Sequence, residues 1–295
     1  MPLAIVLSSF VAGSRVGGVP QALALAALGV EPVLVPTVLF GRRPGQGAPP
    51  GGAAVDDAIF RGVLEGVSSR GLLSYADAVV TGYFASAGQV EAAAALIEAV
   101  RAAPRGGETG PAATDRVLVV VDPIMGDHPE GLYVREEVAR AVEDRLVPLA
   151  DHLTPNLWEL ERLSGERLET PASVAAAARS LGRPVLTTSV AVGAGRIGAV
   201  YADAEAAWLF AHSRWAEAPH GTGDLVAAVY AAALIEGVTG AQAAERAIRT
   251  VAEAVAAAEA WGSPELPIVD LGERLRRPKA ELMIERLDAW PSPGA

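Results

Sequence analysis

The chain has 295 residues, 51% of them hydrophobic and only 5% aromatic, and carries 24 Lys and Arg against 35 Asp and Glu, a net charge of −11. Such a surface repels nucleic acid and anionic membranes, and a nucleotide site on it must bring its own local positive field. No cysteine is present, which excludes a disulfide framework and thiolate chemistry.

The chain opens on MPLAIVLSSFVAG, with no basic segment before the apolar run. This reads as a strand entering a turn, so no signal peptide is expected. Residues 3–8 are the first strand, 17–28 a helix stopped at Gly29, and 32–38 a second strand. The 41–54 run, GRRPGQGAPPGGAA, holds too much Gly and Pro for a regular element and reads as a flap or connector. A helix over 55–69, a strand over 77–81 and an Ala-rich helix over 89–102 follow. Residues 104–114, PRGGETGPAAT, read as a surface insertion.

The β-branched run at 116–121 is the clearest strand, and it ends on Asp122-Pro123. A short strand at 151–154 leads into a helix from about Leu157. A helix over 174–181 and a strand over 184–189 come next. Residues 197–201 and 207–211 form a hairpin about Asp203. Two long helices, 225–236 and 241–261, close the pattern, and 291–295 read as a frayed end. No apolar run is long enough to span a membrane, so the cytoplasm is the expected location.

Alternating strands and helices predict an α/β fold, a mostly parallel central sheet with helices on both faces. Neither a repeat nor a composition shift marks a second domain, so one domain over 1–295 is expected. Ligands of such sheets bind at the carboxyl ends of the strands.

The segment His220-Gly221-Thr222-Gly223-Asp224 precedes an apolar helix. Glycines let backbone amides approach a ligand, and the helix N-terminus adds free N–H groups and a positive dipole end, which suits a phosphoryl group. Asp224 is then placed to take a proton from an attacking hydroxyl. The simpler reading makes Asp224 an N-cap. Three further pieces end predicted strands: Asp122 to Asp127 (DPIMGD), Thr154 to Glu161 (TPNLWELE) and Thr187-Thr188-Ser189. Asn156 and Glu159 fall on one helical face, either as phosphate and metal-water contacts or as a cap and a solvated acid.

In this order the pieces resemble the pyridoxal kinase branch of the ribokinase-like kinases. That family carries D-P-[VIL]-[ML]-G-D, G-x-[LM]-Y-V, V-P-L-A-D-x-[IL]-T-P-N-x-x-E-[LA]-E, T-S and G-T-G-D-L. The matching residues are 122–127, 131–134, 147–161, 188–189 and 221–225, and the similarity runs from about residue 3 to 258. The resemblance implies a ribokinase-like three-layer α/β/α sandwich and phosphorylation of the hydroxymethyl group of pyridoxal or a related B6 vitamer by ATP. It implies Asp224 as base, Gly221, Thr222 and Gly223 as anion hole, and Asp122 and Glu159 as organisers of Mg²⁺. Asp127, Thr154, Asn156, Thr188 and Ser189 would lie near ATP. Ser9, Thr37 and Tyr83 fall where the family contacts the vitamin ring. A homodimer and a monovalent-cation requirement are also family expectations.

The acceptor side departs from the family. Its His and Asn positions are Phe10 and Gly18, its Gln is Leu39, and its flap His is Arg43. Arg42 and Arg43 on the flap could reach phosphates or an anionic substrate group, or form an exposed basic turn. The alternatives are therefore a same-fold kinase for another small alcohol, such as a hydroxymethylpyrimidine or a sugar, and a non-catalytic protein that holds pyridoxal phosphate or nucleotide. The histidines show no metal-ligand spacing: His128 and His220 flank motifs, whereas His152 and His212 read as structural. Trp158 and Trp208 read as packing residues.

Overall fold

The computed structural model describes residues 1–45, 47, 49–106, 114–193, 195–215 and 218–287. Its first half comprises β1 (Leu3–Val11), α1 (Gly18–Ala27), β2 (Glu31–Phe40), β3 (Gly52–Ala54), α2 (Asp57–Ser69), β4 (Ala76–Thr81), α3 (Ala87–Ala102) and β5 (Leu118–Val121). β6 (Gly126–Asp127), β7 (Gly131–Leu132), α4 (Glu136–Ala141), β8 (His152–Leu153), α5 (Leu157–Ser164), α6 (Pro171–Ser180) and β9 (Val185–Ala191) follow. The last part is β10 (Arg196–Ala202), β11 (Ala207–Ser213), α7 (Thr222–Ile235), α8 (Gly240–Trp261), α9 (Ile268–Leu271), α10 (Glu273–Arg276) and β12 (Met283–Arg286).

Ten strands form one sheet in the order β12-β11-β10-β9-β8-β5-β4-β1-β2-β3. The six strands from β9 to β2 run parallel. β3 on one side, and β10, β11 and β12 on the other, add antiparallel edges. Successive side chains of a strand face opposite sides. Accordingly Ala4 and Val6 of β1 pack with α1, α7 and α8, while Ile5 and Leu7 pack with α2, α3 and the helices up to α6. Both faces are covered, which is why residues 3–7 of β1, 78–80 of β4 and 118–121 of β5 read as continuous apolar runs. Alanines carry much of the contact, and every residue from Leu225 to Ala233 of α7 is buried. This is the α/β/α layering expected from the sequence.

Several expectations change. The flap is shorter than 41–54, because β3 pairs with the end of β2 and leaves 41–51 as the connecting arm. At Gly52 φ is +92°, and a Cβ there would stand 1.9 Å from the Leu39 carbonyl oxygen, so the pairing depends on glycine. The insertion is anchored where it is described: the Asp77 carboxylate accepts from Arg105 at 3.1 Å and from the Thr114 amide at 2.8 Å. Residues 107–113 of that insertion, and 291–295, lie outside the described residues. Residues 136–149 are helical, and the segment after α8 forms α9, α10 and β12, elements whose short runs gave no clear period. Among the described residues no helix is long and apolar enough to cross a membrane.

Candidate active site

The parallel strands deliver their last residues to one edge of the sheet. Asp122 follows β5, Thr154 follows β8, and Thr188 and Ser189 belong to the end of β9. A cavity of about 480 Å³ opens there, lined by Asp122, Asp127, Thr154, Asn156, Glu159, Thr188, Ser189 and the 221–224 run. The strand-end and 221–224 residues singled out in the sequence therefore meet in one place. Ile124 and Ser189, the non-glycine residues with positive φ (41° and 62°) among the described residues, also line it. For a β-branched residue that conformation is strained, and strain of this kind collects at ligand sites.

Asp224 is not an N-cap. The helix α7 starts at Thr222 with Gly221 as its cap, and Asp224 sits inside the first turn. Its Oδ2 accepts a hydrogen bond from the backbone amide of Gly17 at 2.8 Å, across 207 residues of chain. Its Oδ1 is buried without a partner among the described residues. Burial pushes the carboxyl up to about 6, and the Gly17 amide works against that rise. One oxygen is thus held and the other is left for a ligand. Gly221 has φ +89°, and a Cβ there would lie 1.9 Å from the Arg15 carbonyl oxygen, so only glycine lets α7 begin this close to the 12–17 loop.

Asn156 and Glu159 form a capping box at the start of α5: the Asn156 side chain accepts from the Glu159 amide, and Glu159 Oε2 accepts from the Asn156 amide, each at 2.9 Å. Both also reach the 125–126 segment. Glu159 Oε1 accepts from the Met125 amide at 2.7 Å, and Asn156 Nδ2 donates to the Gly126 carbonyl at 2.7 Å. The two sequence readings merge here: the pair caps the helix, but Glu159 is buried rather than solvated, at 1% exposure. Burial raises its carboxyl above the usual range. Asp122 is raised well above that range by burial, with the charges of Glu159 and Asp224 adding to it and the Thr154 hydroxyl opposing.

Asp122, raised by burial and by the charges of Glu159 and Asp224, is where a cation would relieve most repulsion. Among the described residues no group of three or more His, Asp or Glu side chains is close enough to ligate a metal together. The donor set therefore suits Mg²⁺ arriving with a nucleotide, which takes one or two carboxylates and keeps water and phosphate oxygens, rather than a metal caged by protein alone. Tyr133, half exposed as a whole residue, lines the same cavity, and enclosure of its phenol there, with the charge of Glu159 adding, raises it above its usual value.

The far end of the cavity is apolar and was not found from sequence. Ile197, Gly198 and Ala199 of β10, Val226 of α7, and Ile248, Val251 and Val255 of α8 line it. His212 and Trp215 lie there with ring centroids 5.1 Å apart. His212 was expected to be structural and instead faces the cavity. These residues sit on elements whose apolar periodicity signals packing alone, so no local pattern marks them. His220 lines the cavity, while His128 pairs with Glu161 at 2.9 Å outside it.

Ser9, Thr37 and Tyr83, which the resemblance puts at the vitamin ring, are not among the residues that line this cavity. Ser9 is buried beside Gly17, whose amide holds Asp224. Thr37 is fully buried, and its hydroxyl donates to the Tyr83 carbonyl at 2.7 Å, so it fixes the backbone of Tyr83. The buried Gln89 amide donates to the carbonyls of Thr37 and Val55, a bracing residue that the sequence reading missed. Phe10 and Leu39 are partners in the β1–β2 register, 38% and 51% exposed. Gly18 abuts Leu34, which a Cβ would strike at 2.3 Å. On the flap, Arg42 Nε donates to the Pro49 carbonyl at 3.1 Å. Arg43 is half-buried, and its charge, after burial, lowers the His220 imidazole.

Residues 110–269 match the family model described as phosphomethylpyrimidine kinase. The pyridoxine/pyridoxal/pyridoxamine kinase of Bordetella avium is 38% identical over 267 residues, 88% of this chain and 86% of that protein. The pyridoxal kinase PdxY of Leifsonia xyli is 30% identical over 95% of this chain and 98% of its own length. In fold, the pyridoxal kinase of Leishmania donovani in complex with ADP superposes with a TM-score of 0.87 at 24% identity, covering 97% of this chain and 99% of that one. The same enzyme with ADP and pyridoxamine gives 0.85 at 23% identity, covering 98% and 100%.

Proposed function

The chain belongs to the pyridoxal kinase family of ribokinase-like kinases, and from that premise we propose that it transfers the γ-phosphoryl group of ATP to the hydroxymethyl group of pyridoxal or a related B6 vitamer. The observation that carries the proposal is Asp224: a buried carboxylate with one oxygen fixed by Gly17 and the other unpartnered, in the first turn of a helix whose N-terminus faces the same cavity.

In this reading Asp224 Oδ1 accepts the proton of the acceptor hydroxyl as its oxygen bonds to the γ-phosphorus and the bond to ADP breaks. The amides at Gly221, Thr222 and Gly223 face the charge that develops on the transferring group, where fixed donors contribute most. Asp122 and Glu159 would hold Mg²⁺, directly or through water, and the ion would neutralise phosphate charge. Asp127, Thr154, Asn156, Thr188 and Ser189 border the phosphates, and the apolar end with Trp215 and His212 takes the base of the nucleotide. Ser9, Thr37 and Tyr83 form the acceptor side, with Arg42 and Arg43 above it on the flap. One domain, a homodimer, a monovalent-cation requirement and a cytoplasmic location belong to the same proposal and rest on family membership.

The test is ATP turnover on pyridoxal, pyridoxine and pyridoxamine by the wild type and Asp224→Asn. Equal rates for the two proteins would sink the assigned base. A second acceptor, a hydroxymethylpyrimidine, is favoured by the family-model match and by Phe10 and Leu39, apolar where the family has His and Gln. Thermal shift with both ligand classes separates the two, because only a bound ligand raises the melting temperature.

A further inference from the structure

Asp224 is oriented by a backbone amide, so whatever fixes that amide fixes the base. Gly17 closes the 12–17 loop between β1 and α1, where it bridges to Phe10 and caps the start of α1. The first half of the loop is held by the amides of Ala12 and Gly13, which donate to the carbonyls of Phe40 and Gly41 at 2.9 Å, and its middle is clamped by a side chain from late in the chain. Glu265 Oε1 accepts from the hydroxyl of buried Ser14 at 2.9 Å, and Glu265 Oε2 accepts from the Arg15 amide at 2.7 Å. Two residues later the Gly17 amide donates to Asp224 Oδ2 at 2.8 Å, and between them the Arg15 carbonyl is packed against Gly221. A single carboxylate thus ties down the Ser14-Arg15 stretch of a loop that touches both the base and the first residue of the anion hole.

Glu265 is itself held. The Ser263 hydroxyl donates to the Glu265 carbonyl at 2.7 Å, and Pro264 and Pro267 stiffen the segment. Leu266 and Ile268, which follow Glu265, are buried in the core shared with α1 and α7. The clamp therefore stands on packed structure. Its charge also reaches His220, the residue before Gly221, and opposes the lowering of that imidazole by burial.

We infer that Glu265 is a positioning residue for phosphoryl transfer, acting through Ser14, Arg15 and Gly17 to aim the free oxygen of Asp224; this rests on the reading of Asp224 as base. Placing a reacting group is worth large factors in rate, and a displacement of about 1 Å costs on the order of 100-fold. Loss of the clamp should act on the chemical step and leave binding of the nucleotide base, at the apolar end of the cavity lined by Ile248, Val251 and Val255, untouched.

The experiment compares Glu265→Ala, Glu265→Gln, Asp224→Ala and the Glu265→Ala/Asp224→Ala double variant. The readouts are kcat, KM for ATP and melting temperature. Glu265→Ala should lower kcat by about 10- to 100-fold with KM for ATP within about twofold of wild type. Glu265→Gln, whose amide oxygen can accept from Arg15 while its NH₂ donates to Ser14, should recover to within about threefold. In the Asp224→Ala background the Glu265 change should cost nothing further, since residues acting as one unit are not additive. Wild-type kcat in Glu265→Ala, or equal losses in both backgrounds with a parallel rise in KM for ATP, overturns the inference. Should Glu265→Ala not fold, Ser14→Ala removes one of the two anchors; a loss of about threefold in kcat supports the clamp and no loss overturns it. An active Asp224→Ala overturns the base itself. An inactive Asp224→Ala beside a fully active Glu265→Ala overturns only the positioning.

Discussion

On the nucleotide side of the cleft Asp122, Glu159 and Asp224 are at most 9% exposed, whereas on the acceptor side Phe10 and Leu39 stand 38% and 51% exposed beside each other. The first side is built of buried charge, and each such charge needs fixed partners: the Gly17 amide for Asp224, the Asn156 and Met125 amides for Glu159. The second sets uncharged groups, buried Ser9 and Thr37, beside apolar side chains that face outward. Buried charge ties many residues together, so changing one disturbs several. An open apolar edge can change one residue at a time. On the proposed assignment of the two sides, the difference teaches that the chemistry of the chain is tightly specified while its choice of alcohol is loosely built.

The comparison breaks most easily at Asp224. If the buried carboxylate is the base, Asp224→Asn should lower turnover by about 10³-fold. Activity of the wild type should rise as pH passes about 6, where Asp224 ionises. Stability should move the other way. The folded state raises this carboxyl from 3.8 to about 6, so it binds the proton more tightly than the unfolded chain. The stability this contributes is complete below about pH 4 and is lost as pH rises through about 6. Asp224→Asn should therefore be more stable than wild type above pH 6, by up to about 3 kcal/mol, and equal to it near pH 4. Melting curves at both pH values check the sign; an Asn variant that melts lower at high pH contradicts it.

Asn156 probes the scaffold of the same side. Asn156→Ala removes the capping bond to Glu159 and the bond to Gly126. Loss of the cap should cost about 1–2 kcal/mol of stability. Because the pair also positions the 125–126 segment, ADP affinity should fall by about tenfold, on the order of one lost polar contact. Calorimetry of ADP binding beside a melting curve separates the two effects. Unchanged ADP affinity would make Asn156 a cap alone.

How much of this was legible follows from the same contrast. Glycines before an apolar helix, acids at strand ends and the Asn156 to Glu159 spacing are marks that a sequence carries openly, because the physics that needs them is local. Asp224 as base could be argued from them, but its partner Gly17 could not, since the bond spans the whole fold. The parallel sheet was visible in the β-branched run at 118–121 and in the Ala-rich helices. The strand at 52–54 was hidden among glycines and prolines. The apolar end of the cavity at Ile248, Val251 and Val255 looks in sequence like any helix face that packs on a sheet. Glu265, between two prolines in a short turn, carries no motif at all.

The smallest effect is expected where the comparison says the protein is least constrained. Phe10 and Leu39 share a register, and Phe10 also bridges to Gly17, the residue that holds Asp224. The pair thus borders the acceptor side of the base without touching the nucleotide cavity. Phe10→His and Leu39→Gln restore the polar groups that the family carries at these positions. A site built to hydrogen-bond a ring discriminates by about 1–3 kcal/mol per lost partner, but an exposed position realises only part of that. Each change should therefore alter KM for the acceptor by about three- to tenfold, in opposite directions for a B6 vitamer and a hydroxymethylpyrimidine, with KM for ATP within about twofold. If KM for ATP moves as far as KM for the acceptor, the two sides of the cleft are coupled and the contrast drawn above fails. If neither moves, the ring is held by Ser9 and Tyr83 alone, and the apolar pair is surface.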